Sequence, residues 1–518
     1  MAKSNAETSS CQKIEVFMHR KDIRRAIVDQ LKKLHPNWAR LPKKQKKQLA
    51  KDITDAAIAD YRGYDKKVDV PLEKLIGIEG QKPDHRIISL QEMVDFVENF
   101  RLRSGTIDFE QYRKPMPEIV NSELRFIDKL LDNSILNCLL SSDGYSPQMR
   151  DVFPCQLFRA ELLKAIKYPE ISYRKYCTTE YMGQERKENR RFLGLPLNTK
   201  YLFDHTQLCQ FRSSLSFSQV VNVLVYILYH FQQTGLLKSN VIHGVDSTEI
   251  ANDTMLPLYT VKVGDRKIRI YNDLECDCGA RRNKRDKSRY VIGYRLHTLT
   301  AINPETGHSF PLVSLLGAAN HHDSLFLKPL IELAQAMGIE MKLITADEAY
   351  HDNNGAILAE TNVHLITPVP SKASLPVNVE LENLSVTCDD FCEIPMIRMG
   401  MTEDGHEYKC NASNGECSRS CRCPQFRIIP FDSGHFQRMP VDSAAAEKAV
   451  GIRRNIERPF NLLKNREGLK EARVRSQRAL VARSTFAIIA TLLIEMAGTR
   501  KKIIKDHNKQ LNLFDKAA

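Results

Sequence analysis

Val241–Ile242–His243–Gly244–Val245–Asp246 and Met341–Lys342–Leu343–Ile344–Thr345–Ala346–Asp347 are short apolar runs, partly β-branched, each closing on an aspartate. Runs of this length and composition read as buried strands. Three more, Tyr290–Ile302, Pro311–Ala318 and Val363–Val369, share the pattern. Asn303–Pro304–Glu305–Thr306–Gly307 has the residues of a hairpin connection between the second and third strands. Leu325–Met337 has helical spacing, with Asp323 or Ser324 placed to cap it. The order is three antiparallel strands, a helix, a strand, a helix and a last strand, which predicts a mixed α/β sheet.

That order is the ribonuclease-H-like one, as an analogy of fold. Residues 1–115 form a charged region with helical spacing over Ile23–Leu34 and Lys46–Tyr61, broken at Leu41–Pro42. Residues 116–239 read as helical, with apolar periodicity over Glu123–Leu140, Phe158–Lys167 and Phe217–Leu237 and a cap at Ser216 or Ser218. The sheet core occupies 240–370. A cysteine-rich insertion follows over 371–440, a second core segment of two helices over 441–500, and a tail over 501–518.

The chain has 518 residues and a net charge of +13, which points to a polyanionic partner. The excess is clustered. Arg40, Lys43, Lys44, Lys46, Lys47 and Lys51 form one run, and Arg281, Arg282, Lys284, Arg285, Lys287 and Arg289 form another. Each alone reads as a solvated loop, whereas two such runs in a chain that also carries three acids able to converge on divalent cations, Asp246, Asp347 and Glu457, favour DNA or RNA contact. The polar start Met1–Ser10 lacks the apolar centre of a signal peptide, and Ala487–Met496 is too short to span a bilayer. A cytosolic protein without membrane contact is expected, with its 13 cysteines reduced or ligating metal.

Asp246 and Asp347 at strand ends and Glu457 on a later helix can converge to hold divalent cations. On a regular helix Glu457 lies about 40° and Lys464 about 20° around from Arg453, so the three share a stripe. An ordinary charged surface helix has the same spacing. Pro459 removes an amide donor and crowds the Asn455 carbonyl, so a kink or a new helix is expected near Glu457. Glu348 reads as a surface acid, and Asp323 as a helix cap or as a group supporting the acids.

Gly244–Thr248, Gly293–His297, Ala346–Tyr350 and Ile456–Lys464 resemble the ordered blocks of the DDE transposases of bacterial insertion sequences. Ser172–Lys175, Arg191–Pro196 and Phe211–Leu215 are similar to the helical amino-terminal domain of the same family, so the resemblance spans roughly 120–500. The third block, often Tyr-x2-Arg-x3-Glu-x6-Lys, is matched by Arg453, Glu457 and Lys464, with Val450 at the tyrosine position. The resemblance implies that Asp246, Asp347 and Glu457 bind two Mg²⁺ or Mn²⁺ ions, and that Arg453 and Lys464 contact DNA phosphates. It also implies nicking of the element's ends, joining of the freed 3′-hydroxyl to target DNA, and a dimer in the DNA complex. Two other readings stay open: a host nuclease of this fold that does not join strands, and a non-catalytic DNA-binding derivative.

Cys388, Cys392, Cys410, Cys417, Cys421 and Cys423 could supply a structural zinc, with Cys410, Cys417, Cys421 and Cys423 the candidate set and His406 or His435 at hand. The spacings match no standard zinc finger, and a set of reduced thiols in a small core is the alternative. Cys276 and Cys278 are too few to close a zinc site. Phe391, Tyr408, Phe426, Phe431 and Phe436 are candidates to stack on a displaced base.

Overall fold

A computed structural model of the chain describes, after positions 24, 27–29 and 31–33, residues 37–61, 86–103, 117–141, 152–196, 204–236 and 241–252. It continues with 259–352 apart from 264–265, 272, 274 and 284–285, then 356–368, 386–387, 394–410, 426–430, 444–466, 469 and 477–514.

The central sheet is mixed, as its pattern predicts. Its strands are β1 (Ile242–Ala251), β4 (Asp277–Asn283), β5 (Asp286–Ile302), β6 (Ser309–Ala318), β7 (Leu343–Ala346) and β8 (His364–Ile366). β1 pairs antiparallel with β5 and parallel with β7, β7 pairs parallel with β8, and β6 runs antiparallel along β5. The helix Leu327–Ala336 connects β6 to β7, and Ala356–Thr361 connects β7 to β8. The β5–β6 hairpin is built by Asn303, whose side-chain oxygen accepts from the amides of Glu305 and Thr306 at 2.9 and 3.1 Å. Gly307 closes it at φ +67°, a conformation glycine adopts without a Cβ penalty.

Between β1 and β5 the described residues include three strands not expected from the sequence. A hairpin of β2 (Tyr259–Val263) and β3 (Arg266–Ile270), then β4, fill the stretch between β1 and β5. Arg281, Arg282, Lys287 and Arg289 of the basic run therefore lie on strands, with Arg281 opposite Arg289, and not in a loop. Its charge hides the β-pattern that apolar alternation would reveal.

The helical region also departs from its expected bounds. Glu123–Leu140 is two helices, Ser122–Leu130 and Asn133–Leu140. Asp132 caps the second by accepting from the amides of Ser134 and Ile135, at 2.8 and 3.1 Å. The fully buried Arg159 takes the freed Leu131 carbonyl at 3.0 Å and pairs with Asp128 at 2.7 Å. Phe217–Gln232 starts at Ser216, which shares a reciprocal capping box with Gln219.

One helix ties both halves together. Gln477–Phe514 packs against Phe217–Gln232, His205–Ser214 and Pro154–Lys167 as well as against β6, and a single apolar core runs through both parts. The Phe486 ring sits 5.2 Å from that of Phe158. Its segment Gln477–Thr499 is long and apolar enough to cross a bilayer, which corrects the reading of 487–496 as too short. In this fold 78% of its most apolar window is buried within the protein.

Within 371–440 the described residues form a three-stranded antiparallel sheet, β9 (Met396–Met401), β10 (Gly405–Cys410) and β11 (Phe426–Pro430). Val386, Met396, Tyr408 and Ile429 make its own small core. Ile397, Met399, Met401, Phe426 and Ile428 are exposed on the same strands.

Candidate active site

The parallel ladder between β1 and β7 ends at the pair Val245 and Ala346. Asp246 is the next residue along β1 and Asp347 the first residue after β7, so backbone pairing up to that point sets them side by side. β1 itself does not stop at Asp246, as the sequence suggested. It runs on to Ala251 because β5 continues to pair with it, Asp246 lying opposite Thr298. The end that matters is that of the parallel pairing.

The helical segment after the insertion docks beside these acids. Ile456 packs on Ile302 and Phe460 in a small buried cluster. A Cβ on Gly244 would lie 2.7 Å from Ile456 Cγ1, so glycine at that position lets the helix approach β1. The close approach brings the Arg453 guanidinium to 4.0 Å from Asp246 Oδ2 and 3.6 Å from Asp347 Oδ1.

Burial pushes the Asp246 carboxyl up to about 6, against the pull of the Ser247 amide and Arg453; the charges of Asp347 and Asp323 add to the rise. The Ser247 amide donates to Asp246 Oδ1 at 2.7 Å. Asp347 is half-exposed and accepts from the Glu348 amide at 2.8 Å, while Glu348 is exposed, as a surface acid should be. Two carboxylates converging on one positive charge offer the hard oxygen donors that divalent cations take. Among the described residues, no three His, Cys, Asp or Glu side chains are close enough together to hold a metal ion.

The third block is less regular than a uniform helix. Ala444–Ile452 is α-helical, Arg453–Ile456 is a 3-10 turn, Glu457–Asn461 is α-helical again, and Leu462–Arg466 is a π turn. Pro459 explains the change. It has no amide for the Asn455 carbonyl, which accepts instead from Ser309 Oγ at 2.7 Å. A new helix therefore starts at Glu457, as Pro459 predicts, but the shared stripe is lost. Arg453 faces the aspartates, Glu457 is exposed and Lys464 is half-buried. Val450 packs with Ile366, Ala449 and Leu343, which accounts for an aliphatic residue where the block often has tyrosine.

Asp323 does not cap the helix after β6. No side chain caps that helix, Leu327–Ala336; the 3-10 turn Asp323–Phe326 in front of it is capped by His322, whose Nδ1 accepts from the Ser324 amide at 3.3 Å. Asp323 instead accepts from Arg295 at 2.6 Å and from Ser247 Oγ at 3.2 Å. No pattern in the sequence pairs Arg295 with Asp323, since the ion pair joins β5 to a turn 28 residues on. Beneath them His297 is fully buried, stacked on Phe326 with ring centroids 4.0 Å apart, and 2.8 Å from the Tyr350 hydroxyl.

Burial holds the His297 imidazole down to about 3, so it is neutral when folded. An unfolded histidine titrates near ~6.5. With the folded value lower, its contribution is complete above about pH 6.5 and is lost as pH falls from there towards 3. The stability difference between wild type and His297→Gln in urea should therefore shrink by roughly 1.4 kcal/mol from about pH 7.5 to about pH 5.5. A constant difference over that interval would show that His297 keeps its ordinary affinity for protons.

Of the candidate zinc set, Cys410 lies among the described residues, half-buried against the small core of β9–β11. Cys417, Cys421, Cys423, Cys388, Cys392 and His435 lie outside them. His406 is fully buried with Nδ1 3.3 Å from the Arg398 guanidinium. Tyr408 is 2% exposed, which removes it as a base-stacking residue. Phe426 is half-exposed with Lys409 5.8 Å from its ring centre; Phe391, Phe431 and Phe436 lie outside the described residues.

A search of curated proteins returned no match. The family model of the transposase DDE domain matches residues 246–493, beginning at Asp246 and spanning Asp347, Arg453, Glu457 and most of the apolar part of the last helix. The mixed sheet and its flanking helices are consistent with a ribonuclease-H-like domain of that kind. Residues 246–493 therefore match a transposase DDE domain, which supports a DDE transposase.

Proposed function

We propose that this transposase cuts phosphodiester bonds at the ends of its element and joins the freed 3′-hydroxyl to target DNA, with Asp246, Asp347 and Glu457 as the acidic residues of the site. The observation that carries the reading is the meeting of Asp246 and Asp347 on one cationic group at the end of the β1–β7 ladder. Asp246 and Asp347 fit a divalent cation, Mg²⁺ or Mn²⁺, by donor type and by the charge they concentrate; the place of Glu457 as a further ligand rests on its position in the third block. Two such ions would stabilise the attacking and leaving oxygens of an in-line displacement.

The protein's own groups supply the rest. The Ser247 and Glu348 amides orient the two carboxylates from within their own turns. Arg453, already facing the acids, is placed to pair with a phosphate brought to them, and Lys464 follows it on the same segment. The exposed Lys43, Lys44, Lys47 and Lys51 on the helix Lys43–Tyr61 add backbone contacts away from the chemistry. DNA is the partner, and bringing two ends together calls for two copies in the complex.

The test uses the full-length protein and a plasmid carrying its gene with the flanking sequence. Nicks at the borders of the flanking repeats in Mg²⁺, and none in EDTA, are expected. A fragment with a pre-nicked end should then become joined to a second plasmid. Cutting without joining would make the protein a nuclease of this fold, and binding without cutting in either metal would remove the catalytic reading.

A further inference from the structure

Asp323 is an acid that the fold holds in place without using it as a cap. Its Oδ1 accepts from Arg295 at 2.6 Å and its Oδ2 from Ser247 Oγ at 3.2 Å, with Arg295 and Asp323 only 17% and 12% exposed. Arg295 stands opposite Glu249 on β1, yet its guanidinium turns to Asp323. Ser247 is the residue whose amide holds the Asp246 carboxylate.

The contacts continue from there to the second aspartate. Asp323 opens the 3-10 turn Asp323–Phe326, and Phe326 stacks on His297. His297 meets the Tyr350 hydroxyl at 2.8 Å, and Tyr350 closes the 3-10 turn that Asp347 caps. Phe326, His297 and Tyr350 are each no more than 1% exposed, so this link is packed on all sides. Backbone pairing fixes the two aspartates at one end of the β1–β7 ladder, and this side-chain path joins the turns that follow them.

We propose that Asp323, anchored by Arg295, is a positioning residue that acts through Ser247 to hold the Asp246 carboxylate in register with Asp347 for divalent-cation binding. The inference rests on the reading of those aspartates as metal ligands. A plain structural ion pair would contribute to stability and leave cation affinity alone. A positioning role changes affinity, because groups behind a ligand commonly alter metal binding by ~10–100-fold.

The experiment is a Mn²⁺ titration of the full-length protein without DNA, followed by electron paramagnetic resonance, on wild type, Ser247→Ala, Ser247→Thr and Asp323→Asn. Thermal unfolding of each variant is measured alongside. Mn²⁺ affinity should fall about tenfold in Ser247→Ala and Asp323→Asn and be retained in Ser247→Thr, which keeps the hydroxyl. Should Asp323→Asn melt early, Ser247→Ala carries the test, since it leaves the Arg295–Asp323 pair intact. Affinity within twofold of wild type in a folded Ser247→Ala overturns the positioning role. Wild type that binds no Mn²⁺ overturns the metal reading, and the positioning role with it.

Discussion

Asp246→Asn is expected to lose DNA nicking by at least about a thousandfold while binding DNA as wild type does. Several kcal/mol of charge stabilisation by bound metal is at stake, and each ~1.4 kcal/mol is tenfold in rate. The amide has the size of the carboxylate and can keep the 2.7 Å hydrogen bond from the Ser247 amide, so the fold has no reason to change. Removing this charge also relieves the repulsion from Asp347 and Asp323 that helps to raise the Asp246 carboxyl. The melting temperature should therefore hold or rise. Arg453 retains Asp347 at 3.6 Å, and a mobility-shift titration should show unchanged affinity. Single-turnover nicking within tenfold of wild type would take Asp246 out of the site.

The largest effect on stability is expected far from the acids. Glu161 and Arg212 form an ion pair whose side chains are 2% and 5% exposed. Tyr173 donates to the other Glu161 oxygen at 2.6 Å, and the Arg212 guanidinium lies 4.4 Å from the centre of its ring. Glu161→Ala leaves a buried guanidinium without its partner, which costs about 3–5 kcal/mol. Replacing both, as Glu161→Leu with Arg212→Met, removes the stranded charge and should recover most of that loss. Urea unfolding of the two single variants and the double variant measures the coupling. A Glu161→Ala loss below about 1 kcal/mol would mean that water reaches Arg212.

These residues show what the sequence could and could not reveal. Tyr173 and Arg212 stand in the stretches that resemble the family's helical domain, and the structure gives them a packing role. The strands β1, β5, β6, β7 and β8 were legible because burial on a sheet writes itself as apolar runs. β4 was not, since its charged residues follow no such rule, and β9–β11 lay hidden among cysteines and prolines. Asp246 and Asp347 could be found because each follows such a run. For Asp323 the sequence left two readings, a cap or a group supporting the acids, because an acid before a helix usually caps it and the capping atom is settled only in three dimensions, here as His322 Nδ1 on the 3-10 turn. Arg453 was recognisable by its spacing from Glu457. Its position over both aspartates depends on a 3-10 turn that a uniform helix does not describe.

The helix Gln477–Phe514 has a consequence during synthesis. The helical region before residue 236 buries its core against a segment that leaves the ribosome on the order of tens of seconds after it, at ~5–20 residues per second. Until then Phe158 and Phe211 lack the Phe486 ring that lies against both in the finished fold. A chain released early, before Gln477, would keep its aspartates and its basic helix but not the apolar segment on which both halves close. Chains that stop before Gln477 are thus expected to unfold and be degraded, because the apolar faces of both halves stay open until that helix is made.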